Sequence, residues 1–289
     1  MLVFDPIQLK SFGHEYFETD TFSVRYVLTK KLIFKSIYIP YGPVIKTEKG
    51  LQDFIDFLWE GKLNKIKIDL PKIYSSEIQN IFITNLKQVG FKPSEYIQDG
   101  ETLVLNKGNW DLKSRYQRYV RSSSKDFSTT IYDNITEDTL NENTSNPILK
   151  DLYKIYYDNG HELGYNIKPY EIFKDTFCNS ITIVANFNET KEISGFLMGY
   201  KYNSKVIDNI TSNDLLLLFT ALTETGKQHK VGYLIHQKLF EHAFNELNYD
   251  SIDFHGADRS KKRSYIEFKE RFGGTFVSYP GSFEYKKYF

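Results

Sequence analysis

Strand-like and helix-like stretches alternate through the first third of this chain, and most carry their own stop signal. "FSVRYVL" and "LIFKSIYI" are rich in β-branched and aromatic residues and flank Thr29-Lys30-Lys31, the pattern of a hairpin. "KGLQDFIDFLWEG" has helical spacing and closes at Gly61. "KIKIDLP" alternates strictly, which predicts a half-buried strand stopped by Pro71. "SSEIQNIFITNLKQVG" opens with a serine cap and closes at Gly90, and "ETLVLNK" follows as another strand.

The strongest helical period lies in "WDLKSRYQRYVRSSSKDF". At about 100° per residue, Leu112, Tyr116, Tyr119, Val120 and Phe127 fall on one face. Arg115, Arg118, Arg121 and Lys125 fall within an arc of about 120° on the other. Such a face can simply be solvated. Four cations against Asp111 alone also suit an anionic partner.

The remainder repeats the theme. "STTIYD" reads as a strand, Thr136–Asn146 as an exposed loop, and about Pro147–His161 and Pro169–Phe177 as helices opening with proline. "SITIVANF" and "KEISGFLMGYKY" form a hairpin around Asn188–Lys191, and "DLLLLFTAL" is a further strand. The helix "VGYLIHQKLFEHAFNEL" and the strand "SIDFH" follow. The expected class is α/β, with mixed sheets and helices on their faces. The expected domains are residues 1–108 and 109–289, the last strand, about 275–289, packing back on the first.

Charge and cysteine content exclude several classes. With 37 basic and 37 acidic residues the net charge is zero, which argues against wholesale coating of nucleic acid but allows a local basic patch. One cysteine, Cys178, permits no internal disulfide and makes a structural zinc site implausible. "MLVFDPIQLK" has no basic and apolar leader pattern, and the densest apolar run, Leu215–Phe219, is too short to span a bilayer. A cytoplasmic protein without a transmembrane segment is expected.

No nucleophile elbow, phosphate loop, paired-histidine zinc motif or calcium loop occurs. His236 and His242 share a helix at a spacing that does not converge on one metal, so no metal is expected. "SIDFHGAD" runs a strand into Gly256, and strand ends of this kind often carry sites. His255 or Asp258 could relay a proton there; equally, His255 could pack beside a helix and Asp258 cap the next. Arg259, Lys261, Lys262 and Arg263 follow as a basic loop suited to phosphate, with Lys269 on a brief helix after it.

"IDFHGAD…YIEFKERFGGTFVSYPG" resembles the closing signature of the FemABX peptidyltransferases, which share the acetyltransferase (GNAT) fold. "YIPYGPV", "RYVRSSSK", "LYKIYYDNGHELGYNIKPYEIF" and "EISGFLMGY" resemble further parts of that family in the same order, so the likeness spans nearly the whole chain. It implies two GNAT-like domains in tandem, of the FemX type without a coiled-coil arm. It also implies transfer of an amino acid from aminoacyl-tRNA, a co-substrate rather than a bound cofactor, to an amino group of a peptidoglycan precursor or similar acceptor. On that pattern Phe268 contacts the tRNA acceptor end and Lys269 serves the transfer step. Arg118, Arg121, Lys125, Arg259, Lys262 and Arg263 would meet donor phosphates, and Lys168 would help hold the acceptor. The chain departs from the pattern at Tyr41, before Gly-Pro, where relatives often have a basic residue. It departs again at His255-Gly256, in place of paired glycines, and at Phe219, where relatives can carry tyrosine.

Two other functions fit the same fold. An acyl-CoA-dependent N-acyltransferase acting on a cell-envelope sugar or small amine needs a pyrophosphate loop, for which Thr225–Leu234 is the candidate, though its glycines are not at the usual spacing. A non-catalytic binding protein needs only the cleft.

Overall fold

The computed structural model describes residues 15–32, 34–40, 42–47, 49–70, 76–97, 100–133, 135, 147–164, 167–205, 211–257, 259 and 264–287. The expected loop Thr136–Asn146 lies outside them. The chain forms two compact units. One comprises Met1–Thr102, Asn203–Thr211 and Val277–Phe289, the other Leu103–Tyr202 and Ser212–Phe276.

The first unit is built on β1 (Glu15–Glu18), β2 (Phe22–Lys31), β3 (Phe34–Ile39), β4 (Val44–Ile45), β5 (Lys65–Asp69), β6 (Lys92–Ser94) and β14 (Ser282–Lys286). The strand order is β1-β2-β3-β5-β14-β6, with β4 on β2. β3 and β5 run parallel, joined across the sheet by α1 (Gly50–Glu60), and β14 is antiparallel to both β5 and β6. Ile66 and Ile68 of β5 and Phe283 of β14 are buried with Phe54 and Leu58 of α1. They are joined there by Phe82 and Leu86 of α2 (Ser76–Gln88). α2 ends as its glycine predicts: Gly90 takes a φ of 94°, and the Phe91 N–H reaches back to the Leu86 carbonyl. The β2–β3 turn lies later than expected. Thr29, Lys30 and Lys31 pair with Ser36, Lys35 and Phe34, so the strands continue and Leu32 takes the bend.

The second sheet contains β7 (Glu101–Asn106), β8 (Phe127–Tyr132), β9 (Ser180–Phe187), β10 (Ile193–Lys205), β11 (Thr211–Leu222), β12 (Ser251–Asp253) and β13 (Thr275–Ser278). The order is β13-β7-β12-β11-β10-β9-β8. The units divide between Thr102 and Leu103, earlier than the division read from the sequence, because β7 pairs with β12 of this sheet.

Both faces of the second sheet are covered, which explains its long apolar runs. Ile181, Ile183 and Ala185 of β9 face α7 (Val231–Glu241), which buries Leu234, Ile235, Leu239 and Phe240. α3 (Ser114–Asp126) packs beside α7 through Tyr116, Tyr119 and Val120. Val184 of β9 and Phe196 and Met198 of β10 face the other way, toward α4 (Pro147–Leu163) and α5 (Tyr170–Cys178). A short helix α6 (Glu224–Gln228) precedes α7, and α8 (Ser264–Glu270) follows β12. No helix among the described residues is long and apolar enough to cross a membrane.

β11 and β12 are parallel, pairing from Asp214–Ser251 to Leu216–Asp253. There β12 stops, while β11 runs on to Leu222. The parallel pair therefore parts at its C-terminal end, the place where α/β sheets commonly hold ligands.

Candidate functional site

Immediately after β12 the backbone turns through two residues of positive φ, His255 at 49° and Gly256 at 74°. Asp253 Oδ1 accepts the His255 N–H at 2.7 Å, and this local bond holds a non-glycine residue in the left-handed region. The turn gathers three carbonyls. Lys269 Nζ donates to those of Phe254, His255 and Gly256 at 2.9, 3.1 and 2.6 Å. An ammonium has three N–H donors, and three acceptors meet it here. The Tyr265 ring, one turn earlier on α8, lies 5.0 Å from the same nitrogen. Of the residues expected to carry chemistry, Lys269 and His255 are thus brought together.

Phe268 packs on Tyr233, His236 and Phe272 at 5.1, 5.1 and 5.2 Å between centroids. His236 is 4% exposed, its ring stacked on Phe272 and Phe254 and its Nδ1 2.7 Å from the Gly232 carbonyl. Because a carbonyl only accepts, Nδ1 carries the proton and the ring is neutral. Burial, opposed by the Gly232 carbonyl and helped by the Lys269 charge, brings its pKa down to about 4. The sequence offered one signal for this residue, a histidine directly after the apolar run Tyr233-Leu234-Ile235.

The cationic arc of α3 is exposed as expected at Arg115, Arg118, Arg121 and Lys125. What sequence reasoning missed is the array beside it. Tyr116 and Tyr119 stack on Tyr233 of the first turn of α7 at 5.5 and 5.2 Å. Arg115 and Arg271 lie 4.6 and 4.9 Å from the Tyr116 ring, Arg118 lies 5.0 Å from that of Tyr119, and Arg271 hydrogen-bonds the Tyr233 hydroxyl. The Arg118 guanidinium holds the Tyr119 hydroxyl below its usual pKa. Phe268 connects this array to the Lys269 turn through Tyr233. Arg259 is exposed, its guanidinium 4.3 Å from the Phe276 ring. Tyr41, Asp258, Lys262 and Arg263 lie outside the described residues.

On the far side of β11, Lys168 and Phe219 meet around Tyr156. The Lys168 N–H donates to the Tyr156 hydroxyl at 3.0 Å, and the Phe219 ring is 4.9 Å from the Tyr156 ring. Close by, a cavity of about 260 Å³ is lined by Asp158, Glu162, Leu222, Thr223, Glu224 and Lys227, among others. Its carboxylates outnumber its single ammonium, which pairs with Glu162 at 2.6 Å.

The stretch 225–234 does not form an open loop. Within it the Lys227 and His229 N–H groups donate to Thr223 and Thr225 carbonyls, and the Gly226 N–H lies 3.2 Å from Thr223 Oγ1. A Cβ on Gly226 would stand 2.1 Å from the Ser194 carbonyl oxygen, so close packing explains that glycine.

In the first unit, Asp69 breaks the alternation of its strand. The pattern assigns it outward with Lys65 and Lys67, yet it is fully buried. Its Oδ2 accepts the Tyr38 hydroxyl at 2.7 Å and the Ile97 N–H at 3.3 Å, and its carbonyl accepts the Gly42 N–H. Burial raises the pKa of nearby Tyr96, and the Asp69 charge adds to the effect.

Against solved structures, the chain superposes on FemX with a TM-score of 0.71, covering 98% of this chain and 90% of that one at 14% identity. The chain has the fold of FemX. L-PGS from Bacillus licheniformis matches at a TM-score of 0.62 and 12% identity, over 98% of this chain and 92% of that one. A tandem GNAT protein from the clavulanic acid biosynthesis pathway matches at 0.51 and 10% identity, over 92% and 79%. Like FemX, then, the chain is a tandem of GNAT-like domains on two mixed sheets. No family model matches the sequence, and no curated protein is similar enough in sequence to count as a match.

Proposed function

We propose that the chain is an acyltransferase that moves an amino acid from aminoacyl-tRNA to an amino group of a peptidoglycan precursor or similar acceptor. The observation that carries this reading is the Lys269 ammonium gathered onto three carbonyls where the parallel strands part, with the tyrosine–arginine array leading away from it. The fold shared with FemX, L-PGS and the tandem GNAT protein supports an acyl-transfer activity in general.

The chemistry needs no enzyme nucleophile. The acceptor nitrogen attacks the ester carbonyl carbon, the C–N bond forms, and the oxygen becomes an oxyanion. Collapse breaks the ester C–O bond, and the tRNA ribose oxygen leaves with the proton that the amine gives up. A free amine of this kind has a pKa of about 10.4 and must first be neutral. In this reading His255, on the turn whose carbonyls meet Lys269, takes that proton. Lys269 stabilises the oxyanion by exchanging one carbonyl partner for it. The exposed cations Arg118, Arg121 and Lys125 engage phosphates of the donor. Lys168, Phe219 and the acidic cavity beyond β11 form the acceptor side.

The internal hydrogen bonds of residues 223–229 occupy the Lys227 and His229 N–H groups, which leaves a CoA pyrophosphate only the start of α7 to meet. Calorimetry of the full chain with aminoacyl-tRNA and, separately, with acetyl-CoA tests the choice. Binding of the tRNA without binding of acetyl-CoA, together with transfer of a labelled amino acid that Lys269→Ala abolishes, is the expected result. Binding of acetyl-CoA alone would replace the donor, and binding of neither would leave the cleft to a non-catalytic role.

A further inference from the structure

The β2–β3 hairpin tip has three properties that water does not reward. Leu32 is wholly exposed at a φ of 52°, a region that leucine rarely adopts. Phe34, close after it, is 41% exposed. Lys30 stands directly opposite Lys35 across the strands, a like-charge pair that destabilises a hairpin. A tip selected only for turning would carry Asn-Gly or Asp-Gly.

The tip also projects. β5 pairs with β3 from Ser36 onward and Asn64 bonds both backbone groups of Lys35, so Phe34 and the end of β2 extend past β5. The surface around its base is basic. Asn64 ties the region together, accepting the Lys35 N–H on Oδ1 and the Lys287 N–H on its carbonyl. Among the described residues no carboxylate lies within ion-pair distance of Lys30, Lys31, Lys35, Lys62 or Lys287. Nearby Glu284 is already held by Lys65 and Lys286 at 2.7 and 2.6 Å. Trp59 and Tyr285, packed edge to face at 4.8 Å and both partly exposed, lie at the same end of the sheet. Such amphipathic rings suit the boundary between headgroups and acyl chains.

We propose that this end of the first unit docks on an anionic lipid bilayer. Leu32 and Phe34 enter the headgroup–acyl boundary, and Lys30, Lys31 and Lys35 rest on the lipid phosphates. The bilayer relieves the defects together: it buries the apolar tip and places negative charge between the opposed lysines. A basic surface alone would equally suit RNA, but an RNA backbone has no use for an exposed leucine. The inference uses the first unit only and stands whatever group the second unit transfers.

Cosedimentation of the full chain with phosphatidylcholine vesicles, with and without phosphatidylglycerol, tests it. The chain is expected to pellet only with the anionic vesicles, less as salt rises. Leu32→Asn is expected to weaken partition about tenfold, and Lys30→Gln with Lys35→Gln about fivefold for each lysine removed. Asparagine tolerates positive φ, so Leu32→Asn keeps the melting temperature at or above that of the parent, and lost binding cannot be ascribed to unfolding. Absence of binding to anionic vesicles overturns the proposal. So does undiminished binding by Leu32→Asn, or binding confined to a short RNA duplex that depends on Lys30 and Lys35 but not on Leu32.

Discussion

In the proposed reaction Lys269 would add a chemical duty to the structural one seen in its three carbonyl contacts. Removing it leaves the carbonyls of Phe254, His255 and Gly256 without their shared donor. Unsatisfied groups of this kind cost about 1–3 kcal/mol, so Lys269→Ala should lower the unfolding free energy by that order in denaturant titration. Loss of a charge that stabilises an oxyanion lowers turnover by about 10² to 10³, so its transfer rate should fall much further than its stability. His236 gives a separate signature. The unfolded chain takes up its proton near pH 6.5, the native state only near pH 4, where burial holds the ring neutral. Between those values the unfolded state binds more protons, so stability falls as the pH drops through that window, by roughly 3 kcal/mol in all. His236→Phe keeps a ring between Phe254 and Phe272 and should flatten that slope in thermal unfolding measured from pH 4 to 7.

At the scale of elements, α3 was the most legible part of the chain. Its cationic arc and its half-buried face of Tyr116, Tyr119 and Val120 follow from the spacing alone, because every residue of a helix rotates by the same angle. Leu112 and Phe127, by contrast, are buried from outside the helix. The stacking of Tyr116 and Tyr119 on Tyr233 was not legible, since it depends on where α7 lies in space rather than on local pattern. The Lys269 turn was hidden for a similar reason: nothing in "DFHGAD" announces that His255 adopts positive φ and turns its carbonyl inward. The burial of Asp69 was not legible, because alternation predicts a face, not what covers that face. Arg118→Ala with Arg121→Ala should leave thermal stability nearly unchanged, both side chains being exposed. In the same variant the log–log salt dependence of tRNA binding should become shallower by about 0.7 to 0.9 for each phosphate no longer neutralised. Gly226→Ala tests the packing of α6 on β10. A methyl 2.1 Å from the Ser194 carbonyl forces a backbone shift, and overpacking costs about 1–3 kcal/mol, visible as a lower denaturation midpoint.

At the scale of the molecule, the alternation of strands and helices foretold an α/β chain with mixed sheets, while the order of strands within them came only from the structure. β14 lies between β5 and β6, an interior strand of the first sheet, and Phe283 is part of that unit's core. Truncation before Val277 should therefore expose the first unit to proteolysis and collapse amide protection in β5 and β6, which hydrogen exchange read by mass spectrometry would localise. The same placement bears on biosynthesis. A nascent chain ordinarily folds from its amino-terminal portion onward, at about 5–20 residues per second. Here β5 and β6 emerge from the ribosome with the slot between them empty, and the strand that fills it is translated only after the whole second unit. For a period on the order of ten seconds the growing polypeptide carries two open sheet edges, which makes it a client for chaperones that shield unpaired strands.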